Sequence, residues 1–68
     1  MPAEIVFSNS ASVKVMATVQ EVCDAIAAGE TVLDTTRFAG FRGEEAVAGE
    51  RVLVTVGAIA YAHELPGP

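Results

Sequence analysis

The sequence has one cysteine, one histidine, no tryptophan and only four basic residues in 68. Each scarcity removes a class of answer. A single cysteine, Cys23, leaves no intrachain disulfide. Cys23 and His63 are the only common metal ligands beyond carboxylates, too few for a structural zinc site. No cofactor motif is present: "GFRGEE" has two glycines but no lysine or Ser/Thr in phosphate-loop positions. The four bases, Lys14, Arg37, Arg42 and Arg51, face nine acids, for a net charge of −5. Nucleic-acid binders carry a basic face, so the field of the whole molecule disfavours that partner. The longest apolar run, Val52 to Ala62, is too short to span a bilayer. The start, "MPAEIVF", has neither a basic leader nor a long apolar stretch and does not read as a signal peptide. The expectation is a soluble, cytoplasmic protein without membrane contact, its lone cysteine in keeping with a reducing compartment.

What the chain has in quantity is apolar residues, 51% of the total with a mean hydropathy of +0.44. A domain of this size buries only about 60% of the surface its unfolded chain exposes. Such domains lean on disulfides, metals or partner chains. With the first two excluded, the composition predicts one domain over 1–68, with an ordered core at about 3–65 and a 66–68 tail, that associates with further protein.

The pattern along the chain reads β-β-α-β-β-β. In "AEIVFS" Ile5 and Phe7 share one face, with Glu4, Val6 and Ser8 on the other. "NSAS" is turn chemistry. "VKVMAT" alternates again, with Val13, Val15 and Ala17 together. Thr18 and Glu21 form a capping box ahead of a stripe of Val19, Val22, Cys23 and Ile26, and Gly29 stands where a left-handed residue stops a helix. This predicts a helix over Val19 to Ala28. "TVLDTTRFAGF" reads as a third strand, and "RGEEAVAG" as a loop or the tip of a long hairpin. "ERVLVTV" is the strongest strand, with Val52, Val54 and Val56 on one face and Leu53 on the other, and burial is expected on both. Gly57 permits a bend. A fifth strand follows with Ile59, Tyr61, His63 and Leu65 on one face, and the "PGP" ending closes it. Five short strands, one helix and a sharp final bend predict a mainly β fold: a small, strongly bent barrel of the SH3-like or Sm-like kind. The alternative is an open antiparallel sheet with the helix on one face.

Phe7-Ser8-Asn9, Thr18-Val19-Gln20-Glu21-Val22 and the segment Val52 to Glu64 together resemble small uncharacterised proteins of actinobacteria and their phages. Those proteins open on strand-turn-strand, carry a short Ser-x-Glu-Glu-Val type helix and end close to Val-x-Val-Asn-Pro-x-x-Val-Ala-Tyr-Val-x-Glu. The chain departs from them at "VGAIAY", which lacks the Asn-Pro, and Gly57 can serve the bend instead. The ending is also similar, more distantly, to the last two strands of Sm-like barrels. The resemblance implies a fold and no activity.

Candidate sites are few. Cys23 lies on the helix's apolar stripe, where a buried, inert thiol is the expected state. A Cys23–His63 catalytic pair would need the fold to join them and a third orienting group. The carboxylates Asp34, Glu44, Glu45 and Glu50 have no spacing suited to acid–base work. No catalytic, cofactor-binding or metal-binding residue is assigned, and the chain is expected not to be an enzyme. Arg37, Phe41 and Arg42 form a candidate partner-binding cluster, since aromatics and arginine anchor interfaces. Val52, Val54, Val56, Ala60 and Ala62 form a candidate self-association surface. The expected function is a self-associating interaction module that binds itself and another protein, a host or cellular one if the setting is a phage or an actinobacterium. The alternative is an Sm-like ring that gathers its arginines at one rim to bind RNA.

Overall fold

The computed structural model describes residues 1–67; Pro68, at the end of the expected tail, lies outside the described residues. The elements are β1 (Ala3–Phe7), β2 (Ser12–Val15), α1 (Val19–Ala27), β3 (Val32–Arg42), β4 (Glu45–Thr55) and β5 (Ile59–Glu64), with a single 3₁₀ turn over Val56–Ala58. The strands form one antiparallel sheet in the order β4-β3-β2-β1-β5.

Local chemistry sets the connections. The β1–β2 turn is closed by the Phe7 N–H on the Ala11 carbonyl at 2.8 Å, and the Asn9 side chain accepts from the Ala11 N–H at 3.0 Å. Ser10 takes a positive φ of 73° there. Thr18 caps α1, and Gly29, at φ 71°, ends it. The Gly29 N–H donates to Ile26 O and the Glu30 N–H to Ala25 O, each at 3.1 Å, which is the Schellman closure. The β3–β4 hairpin turns at Gly43, whose φ of 63° supplies the positive dihedral a two-residue turn needs. "RGEEAVAG" is therefore a hairpin tip that runs straight into strand. Eleven residues at about 3.3 Å each give roughly 36 Å, and the molecule's longest extent is 35 Å. The hairpin alone accounts for the elongated shape.

The two edge strands of the sheet are joined by only three residues. In a flat five-stranded sheet, four gaps of about 4.8 Å would separate β4 from β5 by roughly 19 Å. A 3₁₀ turn advances only about 2 Å per residue. The sheet must therefore curl until its edges approach at Val56–Ala58. It does not close: no ladder joins β4 to β5. The strands form an open antiparallel sheet rather than the expected hydrogen-bonded barrel.

The core lies inside the curl. Ile5, Val15, Ala17, Val22 and Val54 are its buried centre, with Phe7, Val13, Leu33, Val52, Ile59 and Ala62 packed around them. Two expectations about faces are corrected. Burial on both faces of β4 does not occur, because Leu53 is 62% exposed; as an edge strand on a one-layer sheet, β4 has only one face to bury. The expected common face of Ile59, Tyr61, His63 and Leu65 is broken. Phe7 pairs with Ile59 but Val6 with Tyr61, so Ala60 is an extra residue that reverses the alternation. Ile59 and Ala62 therefore both reach the core, while Tyr61 and His63 point out.

Candidate functional site

The predicted site residues fall in three separate places. Val54 and Val56 are buried and Val52 is half-buried. Their side chains belong to the monomer's own core, as does that of Ala62, while Ala60 is exposed. Arg37, Phe41 and Arg42 do not converge. Arg37 Nε donates to Glu50 Oε1 at 2.9 Å. Arg42 stands at the hairpin tip. Phe41 packs edge-on against Phe38, ring centres 5.0 Å apart. In a regular strand residues i and i+3 face opposite ways. Here Phe38 pairs with Ala48 and Phe41 with Ala46, so one extra residue, beside Gly40 at φ 119°, brings the two rings onto the same side.

Cys23 is exposed, contrary to the expected burial. The helix is turned so that Val22 and Ala25 enter the core, and Cys23 and Ile26 are left at its margin. His63 makes no pair with it: Nε2 is 2.8 Å from Glu4 Oε1 and Nδ1 is 3.2 Å from the Glu64 carbonyl. Among the described residues, no three His, Cys, Asp or Glu side chains gather as a metal site, and no helix is long and apolar enough to cross a membrane.

Three carboxylates are held below their usual range. The ring of His63, hydrogen-bonded to Glu4, is the main cause there. For Asp34 it is the Arg51 guanidinium, which donates to both oxygens at 2.9 and 2.6 Å. For Glu50 its own backbone N–H comes first and Arg37 second. Asp34 in turn raises Arg51. All are exposed pairs, of the kind that contribute little net stability.

Two features remain that can recognise another molecule. The first is the outer edge of β4. The Val56 N–H donates to Thr31 O at 3.0 Å, so 31 and 56 are a hydrogen-bonded pair. Antiparallel ladders alternate, which makes Leu33–Val54 and Thr35–Val52 hydrogen-bonded pairs too. The backbone groups of Arg51, Leu53 and Thr55 therefore point away from the sheet.

The second is a groove of about 310 Å³ between α1 and β5. Val22, Cys23 and Ile26 form one wall and the consecutive residues Ile59 to Ala62 the other. Ile26 is 53% and Tyr61 58% exposed. The Leu65 N–H donates to Pro2 O at 3.0 Å. The same alternation then turns the backbone groups of His63 and Tyr61 toward β1 and those of Ala62 and Glu64 outward. The groove thus runs along an open strand edge. It escapes a reading of the sequence because it joins a helix to a strand more than thirty residues later. The available signal is the width of the helix's apolar surface, since Cys23, Ile26 and Ala27 stand beside the buried Val22 and Ala25 and exceed what one small core covers.

No protein-family model matches the chain, and neither the curated proteins nor the solved structures contain a detectable relative.

Proposed function

We propose that this chain is a non-enzymatic interaction module that assembles with copies of itself through β4, on a curled sheet of the SH3-like or Sm-like kind. The edge of β4 carries the reading. It is eleven residues long, with no proline or lysine to block it, and it presents Leu53 with the outward backbone groups of Arg51 and Thr55. Unblocked edges are templates for pairing. A two-fold antiparallel contact centred on Leu53 sets Leu53 against its copy and Arg51 against Thr55, so no like charges stand opposite. Such a contact is isologous and self-limiting. The sheet order and the 3₁₀ turn between β4 and β5 support the small-barrel kinship, and the dispersal of polar groups supports a role without bond chemistry. Protein is favoured over RNA because Arg37 and Arg51 are already paired with Glu50 and Asp34.

Thr55→Pro tests the reading. Thr55 has φ −73°, which proline adopts, and its N–H points outward, so no internal hydrogen bond is lost. The wild type should sediment as a dimer at about 100 micromolar, where an association of about −5.5 kcal/mol is half complete. The variant should sediment as a monomer with an unchanged fold. A monomeric wild type, or a dimeric Thr55→Pro, refutes it. Salt-sensitive retention on single-stranded RNA would favour the ring alternative instead.

A further inference from the structure

The α1–β5 groove is separate from the β4 edge, and the pairing proposed above does not occupy it. Its chemistry has three parts. The walls are apolar, with Ile26, Tyr61 and Cys23 exposed along them. One side is a strand edge whose outward groups at Ala62 and Glu64 have no backbone partner among the described residues. The surroundings are one-signed. The segment through α1 to Glu30 and the whole of β5 carry Glu21, Asp24, Glu30 and Glu64, with no lysine or arginine. All four bases lie on β2, β3 and β4. The last turn of α1 has no basic residue either, so the negative end of its dipole is left uncompensated beside Ile26.

A strand edge beside a helix, with an apolar trough between them, suits an extended peptide. The peptide's backbone completes the sheet and alternate side chains enter the trough. An anionic surround with no lysine or arginine, its one histidine already hydrogen-bonded to Glu4, selects cations on the other side chains. We propose that this groove binds an extended segment of another protein in which apolar residues alternate with lysine or arginine, the segment adding as a sixth strand beside β5.

The inference stands without the β4 dimer, and the two fail separately, since one is read at Leu53 and Thr55 and the other at Ile26 and Ala62. The test pans a random library of peptides of about twelve residues, long enough for one added strand, against the immobilised full chain. Selected peptides should alternate apolar and basic residues and should shift the amide resonances of Ala62, Glu64 and Ile26. Ile26→Lys keeps a good helix former at an exposed position and should weaken them about tenfold or more, the loss of one buried anchor. Leu53→Lys should leave them unchanged. The double reversal Asp24→Lys with Glu64→Lys, read on Ile26-containing protein with an intact circular dichroism spectrum, should abolish the basic preference. No enrichment, enrichment of acidic or proline-rich peptides, indifference to Ile26→Lys, or amide shifts confined to other strands would each overturn the proposal. Concentration-dependent shifts of the groove amides without peptide would overturn it too, by showing that a second copy is the occupant.

Discussion

Thr18→Ala should loosen α1, the only α-helix among the described residues, and lower the stability of the whole domain. Thr18 sits at φ −81° and ψ 162°, outside the helix, with its Oγ1 accepting from the Glu21 N–H at 3.0 Å. Glu21 Oε1 accepts in return from the Thr18 N–H at 3.2 Å. The alanine removes the first bond; the second, from the backbone N–H of position 18, keeps both its partners but no longer closes a reciprocal pair. Loss of such a cap costs about 1 kcal/mol, with a range of 0.5–2. The cap is solvent-accessible, so water replaces part of the lost bond and the middle of that range applies. At 0.05–0.15 kcal/mol per residue, 68 residues give a total of about 3–10 kcal/mol, of which the cap is a sizeable share. The helix cannot fray alone, because Val22 is part of the core centre with Ile5, Val15 and Val54. In a domain of this length, 1 kcal/mol lowers the melting temperature by about 4–8 °C. The assay is a far-ultraviolet circular dichroism melt at fixed low concentration, which keeps association out of the comparison. Thr18→Ser keeps the oxygen and should lose little. Glu21→Ala removes the other half of the box, and its effect should not add fully to that of Thr18→Ala, since both act on one turn. A shift under about 2 °C for Thr18→Ala, or an equal loss in Thr18→Ser, would refute the capping argument.

Ile5→Ala removes a side chain with no exposed surface and should cost about 2–5 kcal/mol, which denaturant titration would register as a lower midpoint with a large unfolded fraction in buffer; a cost below about 1 kcal/mol would mean that the centre of the core lies elsewhere. Acid should weaken the fold through Glu4, Asp34 and Glu50, whose folded-state pKa values are depressed. Depressed carboxylates bind fewer protons folded than unfolded, so their contribution is complete above the ordinary carboxylate range of about 4 and is lost as pH falls through the lower folded values. Denaturation midpoints taken from neutral pH down to about pH 3 should fall slightly, and only in the lowest part of that range, because the pairs are exposed, and Asp34→Asn should flatten the fall; a midpoint that rises toward pH 3 would contradict the sign of these shifts.

Local chemistry was legible in the sequence. Thr18, Glu21 and Gly29 mark a helix that the structure places at Val19–Ala27, and the alternation around Ile5, Val13, Val15 and Val54 marks strands with the right face inward. Each of those signals is decided by residues within one turn or one strand. What the sequence hid depends on pairing between distant segments. Ala60 reverses the alternation of β5 only because Phe7 and Val6 set the register against it. Phe38 and Phe41 meet only because β3 bulges against β4. Cys23 and Val22 both lie on the apolar stripe, and only the position of β5 decides which of them is covered.

The strand "VLVTV" shows the limit most directly. Apolar residues on both of its faces read as a strand buried on both sides, and the strand is instead an edge with Leu53 in solvent. The reason lies in the size of the core. A sheet this short, curled over a helix of nine residues, encloses room for one row from each strand and for Val22 and Ala25 from the helix. The chain's apolar content exceeds that room. Part of the excess is at Met1, Val32 and Phe41, but the rest stands at Leu53 on one open strand edge and at Ile26 and Tyr61 beside the other. Isolated apolar residues on a surface need no explanation, but apolar residues set beside unpaired backbone donors and acceptors combine the two attractions that add a strand to a sheet. This coincidence at both ends of the sheet, rather than any polar constellation, is what the proposed recognition of other polypeptide rests on.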